Sequence, residues 1–314
     1  MIAKRRLGST DLHIAPLVLG GNVFDWTADR DASFAVLDGF VAGGGTMIDT
    51  ADVYSAWAPG HRGGESEAVI GDWLRASGRR NDVLIATKCG MLPVDGQGLQ
   101  PANIAAACDA SLRRLGVDTI DLYYAHQDDP EVPLEDVLGA YGRLVEAGKV
   151  GVVGVSNFTA DRLGAAIELS RGGTFPRIQV LQPEYNLISR AAFEGDLQDC
   201  VVRKDVAALP YYGLASGFLT GKYRTEADLG KSVRSGRMKD WLTDKAPVLA
   251  AMDRIAAETG AALATIALAW LIAQPGVTAP IASASHPDQL PELLAAMTLT
   301  LDPDQMARLT QAGA

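Results

Sequence analysis

Residues 120–157 read IDLYYAHQDDPEVPLEDVLGAYGRLVEAGKVGVVGVSN. An apolar run, Ile120–Gln127, is followed by a longer stretch and then by a second apolar run, Val150–Asn157. The middle stretch, Pro133–Gly148, begins with proline and ends at glycine, which are typical start and stop signals of a helix. Both flanking runs are nearly continuous in apolar residues, which is typical of strands buried on both faces. The segment therefore predicts a strand–helix–strand unit.

The same alternation extends over the whole chain, and Pro101–Gly116 is a second clear helix with apolar residues at helical spacing and a terminal glycine. The apolar runs are Pro16–Gly21, Thr46–Asp52, Val83–Gly90, Ile120–Gln127, Val150–Asn157, Ile178–Asn186, Ala207–Tyr212 and Thr278–Ser285. Eight such units predict an α/β fold, a (β/α)8 TIM barrel formed by one domain over residues 1–314. An open, doubly wound sheet is the alternative. The barrel is favoured because no G-x-G-x-x-G follows the first run and no composition shift marks a second domain.

Two regions depart from the alternation. Lys4–Leu19 carries the turn sequence Gly8-Ser9-Thr10-Asp11 between short apolar-polar runs, which predicts an N-terminal hairpin at the barrel bottom. Lys222–Ala246 is polar, charged and without clear periodicity, so we expect a long loop at the barrel mouth.

Composition excludes several classes of protein. Of the 314 residues, 48% are hydrophobic and 21% are charged, as in a packed globular chain. The net charge of −10 argues against nucleic acid as a partner, because a binder needs a basic surface. The longest apolar stretch, Ala261–Ala273, is shorter than the roughly 20 residues of a membrane span. Cys89, Cys108 and Cys200 form no CxxC pair, and no apolar signal core follows the N-terminus, which together predict a cytoplasmic protein.

Polar residues stand at the ends of three neighbouring runs, where a dry barrel would need none. They are Asp49, Lys88 and His126, and each alone could be structural. Because the carboxyl ends of barrel strands converge on one mouth, we expect the three side chains to meet there. Lys88 would be costly to bury unpaired, so Asp49 is its natural counter-ion.

Tyr54 lies one helical turn beyond Asp49 and can bring its hydroxyl over the same mouth. A phenol is a poor acid at neutral pH, but a neighbouring ammonium stabilises the phenolate. Tyr54, Lys88 and Asp49 thus form a plausible general acid, with His126 able to hydrogen-bond the reacting oxygen.

At this point the sequence resembles the aldo-keto reductase family over nearly the whole chain. Six motifs stand in that family's order and spacing: Asp49-Thr50-Ala51-x-x-Tyr54, Thr87-Lys88, Asp121-Leu122-Tyr123-x-x-His126, Gly154-Val155-Ser156-Asn157-Phe158, Gln182-x-x-Tyr185-Asn186, and Leu214-Ala215-x-Gly217-x-Leu219-Thr220-Gly221-Lys222-Tyr223. The resemblance implies a barrel that passes a hydride between the nicotinamide of NADP(H) and a carbonyl carbon. It implies Tyr54 as the proton donor, Lys88 and Asp49 as the pair that tunes it, and His126 as the residue that orients the carbonyl.

The resemblance also implies a set of cofactor-binding residues. Ser156, Asn157 and Gln182 match positions that hold the carboxamide, and Tyr211 matches the ring that stacks on the nicotinamide. Residues 214–222 match the loop over the pyrophosphate, and residues 283–289 the adenosine end. The full expected set is Ser156, Asn157, Gln182, Tyr211, Leu214, Ser216, Gly217, Leu219, Lys222, Ser283, Ser285 and Gln289.

The sequence departs from the family after the eighth run. Ser285 stands where the family often has the arginine for the 2′-phosphate, Leu293 where it often has asparagine, and Ser283 where it has glycine. A helix start at Pro287 and the cation of Lys222 remain available for phosphate. We therefore expect NADPH as cofactor, preferred over NADH by less than in a relative with arginine. Tyr212 and Gly213 replace the usual Ser-Pro after the stacking tyrosine.

The substrate is a small carbonyl compound whose contacts are less determined. Trp26, Trp57 and Trp241 lie in segments expected at the mouth, and with His126 the first two are our candidates for the substrate pocket. Each tryptophan could instead pack a loop on the barrel. Flat aromatic walls suit sugars, rings and hydrophobic aldehydes alike.

Two other functions remain open at this stage: a cofactor-binding regulatory module with little turnover, and a Schiff-base aldolase that uses Lys88. The amide set Ser156, Asn157 and Gln182 has no task in such an aldolase. The histidines are far apart in sequence and form no H-x-H cluster, so no metal is expected. The sequence is silent on oligomeric state.

Overall fold

The computed structural model describes residues 2–231 and 238–313. A two-stranded antiparallel hairpin precedes a sheet of eight strands in which every paired neighbour is parallel. The hairpin strands are β1 (Arg5–Arg6) and β2 (His13–Ile14). The sheet strands are β3 (Val18–Gly20), β4 (Met47–Asp49), β5 (Leu84–Cys89), β6 (Ile120–Ala125), β7 (Val150–Ser156), β8 (Ile178–Gln182), β9 (Ala207–Ala208) and β10 (Ile281–Ala282).

The sheet curls into the predicted (β/α)8 barrel. Its strand order is β10-β3-β4-β5-β6-β7-β8-β9. The ends of this order meet, because Thr278 donates its backbone N–H to Ala208 O (2.8 Å) and Ile281 donates to Pro210 O (2.8 Å). Each strand lies inside one of the eight predicted runs. The first two sheet strands, β3 and β4, and the last two, β9 and β10, are the shortest.

Helices surround the barrel and follow the signals in the sequence. The described α-helices are α1 (Arg30–Ala42), α2 (Glu65–Ser77), α3 (Pro101–Leu115), α4 (Leu134–Glu146), α5 (Ala160–Leu169), α6 (Asp196–Arg203), α7 (Met238–Asp244), α8 (Ala246–Thr259), α9 (Leu263–Ile272), α10 (Leu290–Ala295) and α11 (Pro303–Ala312). The helices α3 and α4 confirm the two predictions from proline and glycine signals. Gly116 ends α3 in the left-handed conformation (φ 66°), which favours glycine. Asp302 begins α11 with a capping box completed by Gln305.

Apolar residues form two layers that the strands separate. Alternate strand residues point into the barrel, where Val18, Met47, Ala86, Leu122 and Val180 pack together. The other set faces outward against the helices. In β5, Ala86 belongs to the inner layer and Ile85 and Cys89 to the outer one. The alternation of β5 therefore places Lys88 on the inner face and Thr87 on the outer face.

The hairpin covers the barrel bottom, as expected. Leu7 and Ile14 are buried in the inner layer. Arg5 donates from Nη1 to Ile272 O (2.8 Å) and Val277 O (3.1 Å), which ties the hairpin to the last barrel unit.

The segment Lys222–Ala246 is more regular than the sequence predicts. Its described part contains a 3-10 helix, Glu226–Lys231, and the helix α7, while residues 232–237 lie outside the described residues. The prediction of a loop is therefore wrong for residues 238–244, which form α7. In this helix Met238 is buried, and Trp241 packs edge-on against Phe218. Burial of these apolar residues stabilises a helix too short for a periodic signal in the sequence.

The apolar stretch 261–273 forms the buried helix α9, as predicted. Among the described helices, none alone is long and apolar enough to cross a membrane. The helices α8 and α9 reach that length together and are bent by 97° at their junction.

Candidate active site

A cavity of about 1070 Å³ opens at the carboxyl ends of the barrel strands. Asp49 at the end of β4, Ser156 at the end of β7 and Gln182 at the end of β8 line it. The volume exceeds that of a pocket for one drug-sized ligand and suits a dinucleotide together with a small substrate.

Lys88 organises the floor of the cavity. It is fully buried, and its Nζ donates to Asp49 Oδ2 (2.6 Å), to the carbonyl oxygen of Thr50 (2.7 Å) and to the hydroxyl oxygen of Tyr54 (2.9 Å). An ammonium has three N–H donors, so all are used. Since Lys88 donates to the phenol oxygen, the phenol proton of Tyr54 is directed elsewhere, and the cavity that Tyr54 lines is available to it.

Burial and charge act against each other in this group. Burial raises the pKa of Asp49, while the charge of Lys88 and hydrogen bonds from Lys88 and Gln182 act to lower it. Burial acts to lower the pKa of Lys88, but Asp49 and Tyr54 raise it above its ordinary value. Lys88 therefore remains an ammonium ion.

The pKa of Tyr54 differs from the sequence-based expectation. Burial raises it, and the charge and hydrogen bond of Lys88 reduce this rise without reversing it. The effect of Lys88 thus has the predicted direction, but desolvation of the phenolate is larger. The phenol is protonated and can act as a donor.

A tight turn carries Tyr54 back over the mouth. The backbone N–H of Tyr54 donates to Ala51 O (3.2 Å), and Ser55 follows with φ 72°. The hydroxyl of Ser55 donates to Phe24 O (2.8 Å) and compensates part of the strain of this conformation. The position of Tyr54 is therefore set by β4 and by the loop after β3.

His126 completes the predicted catalytic set. It follows β6, its backbone N–H donates to Cys89 O (2.9 Å), and its ring centroid lies 5.9 Å from that of Tyr54. Burial and the charge of Lys88 lower the pKa of His126 to about 3, so the imidazole is neutral. Its buried Nδ1 has no hydrogen-bond partner among the described residues.

The expected carboxamide residues already bond to one another. Tyr211 donates its hydroxyl to Asn157 Oδ1 (2.8 Å), Asn157 Nδ2 donates to His126 O (3.0 Å), and Ser156 donates its hydroxyl to Gln182 O (2.8 Å). Asn157 has φ 57°, a conformation that asparagine tolerates better than most residues. Gln182 donates from Nε2 to Asp49 Oδ1 (2.8 Å), a contact the sequence does not predict.

The loop 214–222 borders the middle of the cavity. Gly217 has φ 94°, and a Cβ placed on it would lie 3.1 Å from Lys222 Cε, so glycine suits both the backbone and the close approach. Leu214, Ser216, Gly217 and Lys222 line the cavity. The side chain of Leu219, in the same loop, is fully buried in the core and does not line the cavity.

The far end of the cavity is formed after β10. Ser283, Ser285 and Gln289 line it as expected. The backbone N–H of Ser285 donates to Gln289 Oε1 (2.9 Å), so the chain itself already uses this N–H. The helix predicted at Pro287 begins as one 3-10 turn, Pro287–Gln289, before α10. Glu292, an acid that the sequence analysis did not select, also lines this end.

The three tryptophans have different surroundings. Trp57 lines the cavity and is half exposed, and its ring centroid lies 6.0 Å from that of Tyr54. Trp26 packs edge-on behind Trp57 (5.4 Å) and is not a lining residue, while Trp241 lies on α7. Tyr212, which the sequence marks only as a departure from the family, also lines the cavity. Further lining residues have nothing in their local sequence that marks them: Val23, Thr27, Val53, Met91 and Gln127.

Comparisons with known proteins agree with this geometry. The model of the aldo/keto reductase family matches residues 16–314. An aldo-keto reductase of Strobilurus tenacellus is 34% identical over 78% of this chain and 70% of its own length. The L-glyceraldehyde 3-phosphate reductase of Escherichia coli (strain K12) is 30% identical over 98% of this chain and 91% of its own. The aryl-alcohol dehydrogenase [NADP(+)] of Phanerodontia chrysosporium is 28% identical over 94% and 81%.

Proposed function

The chain belongs to the aldo/keto reductase family, and we propose that it reduces an aldehyde or ketone to an alcohol with NADPH, using Tyr54 as the proton donor. As a member of this family it is an NAD(P)H-dependent reductase of small carbonyl compounds.

A nicotinamide cofactor held beside Ser156, Asn157 and Gln182 would supply the hydride that the carbonyl carbon receives. Tyr54 donates its proton to the carbonyl oxygen. The ammonium of Lys88, 2.9 Å from the phenol oxygen, stabilises the phenolate that remains, and Asp49 neutralises Lys88. His126, neutral at physiological pH, can donate an N–H to the same carbonyl oxygen and orient it.

The observation that carries this proposal is the complete use of the three Lys88 donors. They hold the buried ammonium against the Tyr54 oxygen, and burial strengthens the effect of its charge. The phenol keeps its proton until a substrate oxygen accepts it.

Residues suited to bind the different parts of a dinucleotide cofactor line the cavity. Ser156, Asn157 and Gln182 offer amide and hydroxyl groups beside Tyr54, which suits a carboxamide because that group both donates and accepts. Tyr211 lies beside them and is proposed to stack on the nicotinamide. Leu214, Ser216, Gly217 and Lys222 would border the pyrophosphate, with Ser283, Ser285 and Gln289 at the adenosine end.

We propose that NADPH is preferred over NADH by a modest factor. Lys222 supplies a cation on the cavity wall, which favours a 2′-phosphate. Glu292 lines the same cavity, and an acid there opposes a phosphate. The N–H of Ser285 already bonds to Gln289, so this part of the chain contributes less to phosphate binding than the sequence predicts.

The substrate end of the cavity has an aromatic wall. Trp57 and Tyr54 form it, with Met91 and Val53 beside them, and Trp26 supports Trp57 from behind. A small carbonyl compound with a flat apolar body fits these surfaces.

The aldolase alternative is disfavoured by the state of Lys88. A Schiff base requires a neutral amine with a free lone pair. Burial alone would produce one, but Asp49 and Tyr54 raise the pKa of Lys88, and its three N–H groups are all donated. Lys88 therefore acts as an electrostatic group.

The test is consumption of NADPH and of NADH in the presence of a panel of aldehydes and ketones, beside borohydride trapping of any lysine adduct. We expect cofactor oxidation that depends on the carbonyl substrate, faster with NADPH, and no trapped adduct. A borohydride-stable adduct at Lys88 without cofactor oxidation would contradict the proposed reaction.

A further inference from the structure

Gln182 has a second contact that the carboxamide role does not explain. Its Nε2 donates to Asp49 Oδ1 at 2.8 Å, and both side chains are buried, each with 2% exposure. Lys88 Nζ donates to the other carboxylate oxygen of Asp49, Oδ2, at 2.6 Å. Each oxygen of Asp49 therefore has its own donor from a different barrel strand.

The chemistry of the pair determines which way the amide faces. An ionised carboxylate only accepts hydrogen bonds, so the amide nitrogen of Gln182 must point to Asp49 and the amide oxygen must point away. A donor to Oδ1 also sets the plane of the carboxylate and with it the direction in which Oδ2 meets Lys88. Without this donor, Asp49 could rotate about its side-chain bond while keeping one contact.

The surroundings hold Gln182 in this place. Gln182 ends β8 and pairs in register with Ser156 of β7. Its backbone carbonyl oxygen accepts a hydrogen bond from the Ser156 hydroxyl (2.8 Å). The ring of Tyr124, which lies 5.9 Å from Lys88 Nζ, occupies the interior nearby. Gly154 makes room for that ring, since a Cβ there would lie 2.6 Å from it.

We propose that Gln182 is a positioning residue of the catalytic acid, which holds the carboxylate of Asp49 so that Lys88 remains directed at the Tyr54 oxygen. The inference rests on the proposed function for its catalytic consequence and only on the observed contacts for its structural one. Gln182 thereby links the cofactor side of the cavity to the proton donor through one amide group.

The direct consequence is electrostatic. A hydrogen bond to an ionised carboxylate stabilises the charged form, and Gln182 acts to lower the pKa of Asp49. Removal of the amide should therefore raise the pKa of Asp49. The pH below which kcat falls, the acid limb of the pH profile, should then move to a higher value. Hydrogen bonds to charged groups are strong enough for a shift of about one pH unit.

The first experiment uses the cofactor-free protein and measures the free energy of unfolding against pH in wild type, Gln182→Leu, Asp49→Asn and the double variant. Gln182→Leu should lose stability at neutral pH, and the loss should shrink as the pH falls and Asp49 becomes protonated. In the Asp49→Asn background the effect of Gln182→Leu should no longer depend on pH. A loss that is equal at every pH in both backgrounds would assign Gln182 to packing only and overturn the proposal.

The second experiment measures kcat against pH at saturating NADPH, with the dissociation constant of NADPH measured separately. Gln182→Leu should lower kcat about tenfold and move its acid limb up by about one pH unit. Ser156→Ala is the matched control, because Ser156 is proposed to bind the carboxamide but does not contact Asp49. It should weaken cofactor binding and leave the acid limb in place. A Gln182→Leu variant that behaves like Ser156→Ala would contradict the positioning role.

A third variant, Gln182→Glu, keeps the shape of the side chain if Gln182→Leu does not fold. It replaces the donor by a second carboxyl group beside Asp49, so the acid limb should move to higher pH than in the wild type. An unmoved limb would again overturn the proposal. Absence of carbonyl reduction in the wild type would refute the proposed function instead, while the unfolding experiment would still decide the role of Gln182.

Discussion

Two buried carboxyl groups at and just after the end of β4 lie on either side of β5 and have different environments. On the inner face, Asp49 is paired with Lys88 and Gln182. On the outer face, Asp52 is fully buried, and neither of its carboxyl oxygens has a hydrogen-bond partner among the described residues. Burial, and then the charge of Glu67, raise the pKa of Asp52 to about 8. Two buried carboxyl groups three residues apart in the sequence thus differ in their partners: Asp49 has a cation and an amide donor, and Asp52 has neither in the described part of the chain.

The outer face does contain a buried ion pair, but Asp52 is not part of it. Glu67 accepts the Thr87 hydroxyl on Oε1 (2.6 Å) and Arg114 Nε on Oε2 (2.6 Å). Arg114, whose charge acts to lower the pKa of Asp52, is thus already bonded to another acid, and so is Lys88, which also acts on Asp52. Burial acts to raise the pKa of both carboxyl groups, and within the described ranges only Asp49 has side-chain donors at hydrogen-bond distance that oppose this rise.

Lys88→Met should have the largest effect, because it makes the environment of Asp49 resemble that of Asp52. Asp49 loses its counter-ion, and Tyr54 loses the ammonium that stabilises its phenolate. Breaking a buried pair costs about 3–5 kcal/mol of stability, and carbonyl reduction should fall by orders of magnitude. Denaturant unfolding and steady-state kinetics measure the two losses. Near-normal activity would mean that Lys88 does not tune the acid.

Tyr54→Phe tests the inner face while leaving the Lys88–Asp49 pair in place. Removal of the proton donor should reduce kcat by about 10² to 10⁴-fold. Cofactor affinity, measured by quenching of protein fluorescence, should stay close to that of the wild type. A variant with nearly full turnover would assign the proton to another group.

Asp52→Asn tests the outer face in the opposite direction. Because the folded-state pKa of Asp52 is raised above its unfolded value, its contribution to stability is complete below about pH 4 and is lost as the pH rises to about 8. The amide has no charge to gain, so the variant should be more stable than wild type by about 5–6 kcal/mol at pH 8 and above. The gain should vanish near pH 4, with kcat unchanged. Unfolding midpoints across this pH range give the result, and a pH-independent difference would contradict a protonated Asp52.

Arg114→Met is the counterpart of Lys88→Met on the outer face. It leaves the buried Glu67 without its cation, and stability should fall by about 3 kcal/mol. Because no reacting group is involved, the kcat of the folded fraction and its pH profile should resemble the wild type. An altered pH profile would show that the two faces are coupled through β5.

The smallest effect concerns cofactor choice, away from both faces of β5. Lys222→Ala should nearly remove the preference for NADPH, and Ser285→Arg should widen it, each by about ten- to a hundredfold at most. The ratio of kcat/KM for the two cofactors measures both changes. A wild type that prefers NADH would show that Glu292 outweighs Lys222.

Much of the fold and of the candidate site can be predicted from the sequence. Apolar runs predict the eight strands because strands covered on both faces need side chains that are apolar throughout. Proline and glycine signals predict α3 and α4. Asp49, Lys88 and His126 can be selected together because the ends of parallel strands meet at one mouth.

Other features follow only from the packing of distant segments. Leu219 lies in a motif whose neighbours line the cavity, yet its side chain is buried in the core. Nothing near Gln182 in the chain indicates that its amide nitrogen contacts Asp49. Likewise, the residues around Asp52 do not indicate that Arg114 bonds to Glu67. Periodicity and strand ends are local properties of a chain. The partner of a buried polar group, and therefore its charge, depends on which donors the folded barrel brings within hydrogen-bond distance.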